Sequence, residues 1–151
     1  MKIVYVHHAE RDHNNKSVPR DEQDITEDGI KEAELLAKKV PLINVTKIYS
    51  SEHKRCIHTA NILNKNLNVD IKIDERFNEK TKEESWKEFI NRNKEALDDI
   101  ISSSNSDDCI LCITSGVNLS AFVAYFTGND KVRVQGLTMS PVLFTPDNDV
   151  F

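Results

Sequence analysis

The chain has 151 residues, 38% of them hydrophobic and 30% charged, which suits one domain over 1–151 with one sizeable core. Its formal net charge is −5, from 25 acidic against 20 basic residues, which argues against a nucleic-acid backbone binder but leaves room for a local basic pocket around one phosphate group. No segment approaches the roughly 18 apolar residues needed to span a bilayer, and the N-terminal apolar run of about five residues is too short for a signal-peptide core. No membrane association and a cytoplasmic location are therefore expected, with Cys56, Cys109 and Cys112 reduced.

Lys2–His7 is short, apolar and rich in β-branched residues, the mark of a buried strand. The polar stretch that follows, through Asp24, reads as a loop. Ile30, Ala33, Leu36, Ala37 and Val40 then recur at helical spacing, with Thr26 as N-cap, Glu27 and Asp28 favouring the helix dipole, and Pro41 as the stop. Lys47–Ser50 reads as a second strand, and a helix carrying Cys56, Thr59, Ala60 and Leu63 on one face follows it. Ile71 and Ile73 alternate with charged residues, as in a short edge strand. Trp86, Phe89, Ile90, Asn93, Leu97, Ile100 and Ile101 outline a longer amphipathic helix, and 102–108 is a loop.

Cys109–Thr114 is an apolar strand closed by a tight turn at Ser115 and Gly116; 121–126 reads as a buried helix and Val142–Phe144 as a final strand behind Pro141. Cys109 and Cys112 form a C-x-x-C, but positions three apart in a strand face opposite ways, so a redox or metal role is not expected of them. The alternation of strands and helices predicts an α/β fold with three layers, α/β/α, around a mostly parallel sheet. Ligands of such sheets bind beyond the carboxyl ends of the strands, so the loops after His7, Ser50 and Thr114 are expected to meet there.

The run V-H-H-A-E-R-D-H-N (6–14) crowds histidines around one strand end. Zinc is not the expected occupant, because neither an H-x-x-x-H helix nor a matched cysteine pair accompanies them. The run resembles the V-R-H-G-E-x-x-x-N opening of the histidine phosphatase (phosphoglycerate mutase-like) family. Further segments resemble that family in order: I-T-E-D-G-I-K-E-A (25–33), I-Y-S-S-E-H-K-R-C-I-H-T-A (48–60), D-E-R-F-N-E (74–79) and I-T-S-G-V-N-L-S-A-F-V-A-Y-F (113–126). The resemblance implies a phosphoglycerate mutase-like fold, with His8 as nucleophile and Glu79 as proton donor. It implies phosphate contacts from Asn14 and Arg55, and it puts His7 where the family carries an arginine and Ser115 where it carries a second histidine.

A neutral imidazole can attack an electron-rich phosphorus without charge repulsion, and an arginine fork can hold two phosphate oxygens. The expected activity is hydrolysis of a phosphomonoester or phosphoramidate through a phosphohistidine on His8, without metal or cofactor. It is attenuated by the changes at 7 and 115, with Arg11, His13 and His53 as candidates to compensate. A small phosphorylated substrate or a phosphoprotein is the expected partner, and phosphate or sulfate the expected ion in the pocket. Only 29 residues (80–108) separate Glu79 from Cys109, which implies an open pocket rather than one enclosed by a long insertion. A phosphate-binding module without efficient turnover, and a scaffold with a vestigial pocket, are the competing readings.

Overall fold

The computed structural model describes residues 1–146. Lys2–His7 forms β1, and its side chains alternate between two cores: Val4 and Val6 face one side, Ile3 and Tyr5 the other. The remaining strands are β2 (Lys47–Ser50), β3 (Ile71–Ile73), β4 (Cys109–Thr114) and β5 (Val142–Phe144). They form a five-stranded sheet of order β3-β2-β4-β1-β5, in which β5 alone runs antiparallel to its neighbour. The exposed Ile73 fits β3's place on the sheet edge.

Helix α1 (Glu27–Ala37) starts at Thr26, whose Oγ1 accepts from Gly29 N at 3.0 Å. Gly29 has a steric duty as well, since a Cβ there would come within 2.9 Å of Glu10 O. The helix ends before the residue the periodicity had pointed to: Val40 lies in a 3-10 turn, Val40–Ile43, that Pro41 helps to start. Val40 is buried all the same, so the apolar spacing marked the core face and overran the helix end. Helices α2 (Lys54–Asn64), α3 (Trp86–Ser102) and α4 (Asn118–Thr127) complete the layers. Helix α4 opens three residues before the apolar run 121–126 and closes on Gly128, whose φ of 74° is the left-handed stop that glycine adopts freely.

Helices α1 and α2 pack together over the Val4, Val6, Leu111 and Ile113 face, and α3 and α4 cover the Ile3, Tyr5, Ile110 and Cys112 face. Cys109 and Cys112 fall into opposite cores as free thiols, and burial raises both above their ordinary range. Among the described residues, no three histidines, cysteines or carboxylates are grouped to hold a metal, and no helix is long and apolar enough to cross a membrane. The carboxyl ends of β1, β2 and β4 are tied to one another: His8 N donates to Thr114 O at 2.9 Å and Ser51 N to Ile113 O at 3.0 Å. The three loops predicted to meet do meet here.

Candidate active site

His8 is the first residue past β1, and its N–H still continues the sheet ladder, which fixes where its side chain leaves the backbone. The residue is 5% exposed. Its Nδ1 lies 2.6 Å from Ala9 O. A carbonyl oxygen can only accept, so Nδ1 carries the proton and Nε2 keeps a lone pair. Arg55 Nε donates to that lone pair at 3.2 Å. Burial drives the His8 pKa down to about 2, with the charges of His7, Arg55 and Arg11 adding to it and the Ala9 bond opposing, so the imidazole is neutral at ordinary pH.

Arg55, one residue into α2, is 1% exposed. A buried guanidinium needs partners for its donors, and it has them: Nη1 donates to Arg20 O at 3.0 Å, and Nη2 reaches His53 Nδ1 and Glu79 Oε2, each at 3.2 Å. Thr59, four residues on and so on the same helix face, donates to Arg55 O and accepts from Ala9 N, which fastens α2 to the loop carrying His8. His53 is lowered first by burial and then by Arg55, and stays a neutral acceptor.

Glu79 follows the turn Glu75–Phe77. Its carboxylate takes a fork from Arg20, Nε to Oε2 at 3.0 Å and Nη2 to Oε1 at 2.8 Å, as well as the Arg55 contact. Burial alone would raise its pKa, but the Arg20 hydrogen bonds and the charges of Arg20, Arg55 and Arg11 outweigh burial and hold it below the ordinary range. In the resting site it is a carboxylate, not a carboxylic acid. Arg20, Glu79 and His53 line a cavity of about 820 Å³ together with Glu52, Lys80, Lys82 and Glu84. His8 and Arg55 do not line it; Arg55 contacts Glu79, and His8 lies behind Arg55.

The remaining residues are placed as follows. His7 ends β1, edge-to-face on His8 with centroids 4.4 Å apart, and its Nδ1 donates to Gly136 O at 2.9 Å. Burial lowers its pKa, so the neutral ring has spent its one N–H on the backbone. Gly136 is needed for that contact, because a Cβ there would overlap the Tyr5 hydroxyl. Ser115 is 3% exposed, and its hydroxyl donates to Asn118 Oδ1 at 2.6 Å. Asn118 Nδ2 in turn reaches Asn93 Oδ1, Phe77 O and Asn78 O, so Ser115 belongs to a buried network joining α4, α3 and the turn before Glu79. Asn14 sits exposed at the tip of the loop that Arg11 and Ile25 bridge at its neck. Its backbone N–H donates to Asp12 Oδ1 and its carbonyl accepts from Lys16 N, while its side chain makes no hydrogen bond to His8 or Arg55.

The sequence profile described as the histidine phosphatase superfamily (branch 1) matches residues 3–82. The chain belongs to that superfamily. A 2,3-bisphosphoglycerate-dependent phosphoglycerate mutase of Thermoplasma acidophilum is 36% identical over 80 residues, 50% of this chain and 40% of that protein. A candidate phosphoserine phosphatase of Hydrogenobacter thermophilus is 27% identical over 85% of this chain and 80% of its own length. Among solved structures, a mycobacterial glucosyl-3-phosphoglycerate phosphatase in complex with VO3 superposes with a TM-score of 0.81 at 16% identity, covering 94% of this chain and 91% of that one. That last likeness establishes the phosphoglycerate mutase-like fold.

His8, Arg55 and Glu79 are joined in one chain of contacts, and the donors of His7 and Ser115 are committed to Gly136 and Asn118. Of the three candidates to compensate, His53 touches Arg55. Arg11 contributes its charge while its guanidinium holds Gln23 and His13, which leaves His13 exposed on the outer side. Arg20 was not foreseen. It sits in a polar loop with no periodicity, and only the folded chain sets its side chain against a carboxylate 59 positions away.

Proposed function

We propose that the chain hydrolyses a phosphomonoester or phosphoramidate through a phosphohistidine at His8 Nε2. The observation that carries this reading is the His8 tautomer: Nδ1–H is held by Ala9 O, so the unprotonated Nε2 is presented beside the Arg55 fork. In the first step the Nε2 lone pair forms a bond to phosphorus, and the bond to the leaving oxygen or nitrogen breaks with its electron pair. The leaving atom takes a proton from Glu79. Water then attacks the phosphohistidine, gives a proton back to Glu79, and inorganic phosphate departs as Nε2 recovers its lone pair. Arg55 holds two phosphoryl oxygens through Nε and Nη2 as charge redistributes. Glu79 must gain its proton first, and it can do so only when the guanidiniums that keep it ionised turn toward the substrate.

The same geometry supports attenuated turnover. The His7 N–H is spent on Gly136 and the Ser115 O–H on Asn118. Each donor missing from a transition-state cradle costs about 10²–10³ in rate. These two spent donors favour a second reading, a module that binds a phosphorylated ligand with little turnover. The wide cavity beside Glu79 suits either a small phosphorylated molecule or a phosphorylated side chain of a protein, and the names of the two curated relatives point to the small molecule.

The test is hydrolysis of an aryl phosphate across about pH 5–8 by the protein and by His8→Ala, with acid quenching to trap a phosphoenzyme. Turnover and an acid-labile phosphoryl label, both lost in the variant, are expected. Equal rates in both proteins overturn catalysis and leave the binding module.

A further inference from the structure

The Nε–Nη2 edge of Arg55, the edge that can hold two oxygens of one phosphate, is occupied in the resting site by internal groups. Nε meets His8 Nε2 and Nη2 meets Glu79 Oε2, both at 3.2 Å. The Glu79 carboxylate is gripped on its other side by the Arg20 fork at 2.8 and 3.0 Å. A planar oxyanion thus lies between two guanidiniums, linked to the nucleophile through Arg55, in contacts that a phosphoryl group would also satisfy. We propose that Arg20 is a second phosphate-binding arginine, doing from the loop before α1 what the arginine absent at position 7 does not, and that Glu79 holds the seat of the substrate phosphate until the substrate displaces it.

This inference rests on the phosphatase reading for its substrate but not for its binding chemistry. Arg20 and Arg55 both contact the Glu79 carboxylate and Arg11 adds its charge from nearby, and the mutual repulsion of the three guanidiniums lowers the pKa of Arg11 beyond what burial contributes. Of the other acids lining the cavity, Asp21 turns toward His53 at 3.6 Å and is 71% exposed, Glu52 accepts from Asn78, Glu84 is held by Arg92 and Glu75 is exposed, so none of them makes a hydrogen bond to Arg20 or Arg55. A phosphate dianion entering between Arg20 and Arg55 matches that surplus. Once displaced, Glu79 loses the contacts that keep it ionised and can accept the proton its acid role needs. Arg20 can make the exchange because its side chain is 57% exposed and its backbone O is anchored by Arg55 Nη1, so the head can move while the loop stays.

The experiment is calorimetric titration of inorganic phosphate at neutral pH and low salt into the wild-type protein, Arg20→Ala, Arg20→Lys, Glu79→Gln and the Arg20→Ala/Glu79→Gln double variant. Thermal melts confirm that each is folded. Arg20→Ala should weaken phosphate binding about 10- to 100-fold, the range for a charge-assisted contact, and Arg20→Lys should fall between it and wild type. Glu79→Gln should tighten binding about tenfold by removing the internal competitor, and Arg20→Ala should still weaken binding in that background. Arg20→Ala binding phosphate as well as or better than wild type overturns the proposal, because Arg20 then only covers the site. Glu79→Gln binding no more tightly than wild type overturns the stand-in role, as does an absence of phosphate binding in both. The two ideas fail separately: affinities that move as stated without aryl phosphate hydrolysis sink the phosphatase reading alone, and hydrolysis with unmoved affinities sinks this one alone.

Discussion

The two sides of the pocket are built on opposite plans. On the α2 side, Arg55, Arg20, His53 and Glu79 form contacts between charged or titratable groups at 2.8–3.2 Å, each with a partner that a ligand could replace. On the β4 side, Ser115, Asn118 and Asn93 form a neutral chain whose donors are committed to one another and to backbone carbonyls. Both sides are hydrogen-bonded, yet only one carries net charge and exchangeable contacts. A buried polar group stabilises a fold best when fully satisfied, and binds a ligand best when the ligand completes it. The β4 side does the first and the α2 side the second.

The sharpest way to break this contrast is to remove the residue on which the α2 side converges. Arg55→Ala leaves His8 Nε2, His53 Nδ1 and Arg20 O without their donor and opens a cavity where a 1% exposed side chain stood. A stability loss of about 2–4 kcal/mol is expected in urea unfolding, and a loss of at least about 10³ in aryl phosphate turnover. Arg55→Lys keeps the charge without the planar fork, so it should recover most of the stability and little of the turnover. Equal turnover in Arg55→Lys and wild type would put the recognition of phosphate elsewhere.

A smaller effect separates the sides by pH. His8 is held neutral, its pKa pushed from 6.5 to about 2, and His7 and His53 are lowered as well. The unfolded chain therefore binds more protons than the folded one below about pH 6.5. The stability these rings contribute is complete above that value and is lost as pH falls toward the folded pKa, with a slope of up to about 1.4 kcal/mol per pH unit for each ring. Glu79, lowered from 4.5, adds a further loss only below its ordinary range. Urea midpoints across about pH 4.5–7.5 should fall steadily on the acid side, and His8→Gln should flatten that fall. The Ser115–Asn118–Asn93 chain has no titrating member and contributes nothing to it. An unchanged slope in His8→Gln would mean that the ring is not buried neutral.

Much of this architecture was legible in the chain, and the reason is periodicity. Val4 and Val6 against Ile3 and Tyr5 alternate as a two-sided strand must, and the faces of α2 and α3 repeat at helical spacing. His8, Arg55 and Glu79 were legible for another reason: they lie in short runs whose order resembles a family's. What stayed hidden depends on partners distant in sequence. The N–H of His7 is consumed by Gly136, 129 residues on, and Arg20 meets Glu79 only after the loop folds. Asn14 shows the reverse case, a motif position that the neck of its own loop, bridged at Arg11 and Ile25, carries out to solvent. Ser115, which the motif order sets where the family carries a second histidine, donates to Asn118 three residues along, a partner the motif does not announce.

That difference sets the smallest and most discriminating measurement. If Ser115 donated to a phosphoryl oxygen, Ser115→Ala would cost about 10²–10³ in turnover, as loss of a preorganised donor does. Here its proton points at Asn118 Oδ1, which Asn93 and two backbone carbonyls already orient through the amide nitrogen. Removing the hydroxyl leaves one buried acceptor short of a partner, at about 1 kcal/mol in urea unfolding, and touches nothing on the Arg55 fork. Turnover within about threefold of wild type, phosphate affinity unchanged and a small drop in stability are the expected results. A loss of turnover near 10² with stability intact would move Ser115 to the reacting side of the pocket, and the division between a binding half and a scaffold half would have to be redrawn around His8.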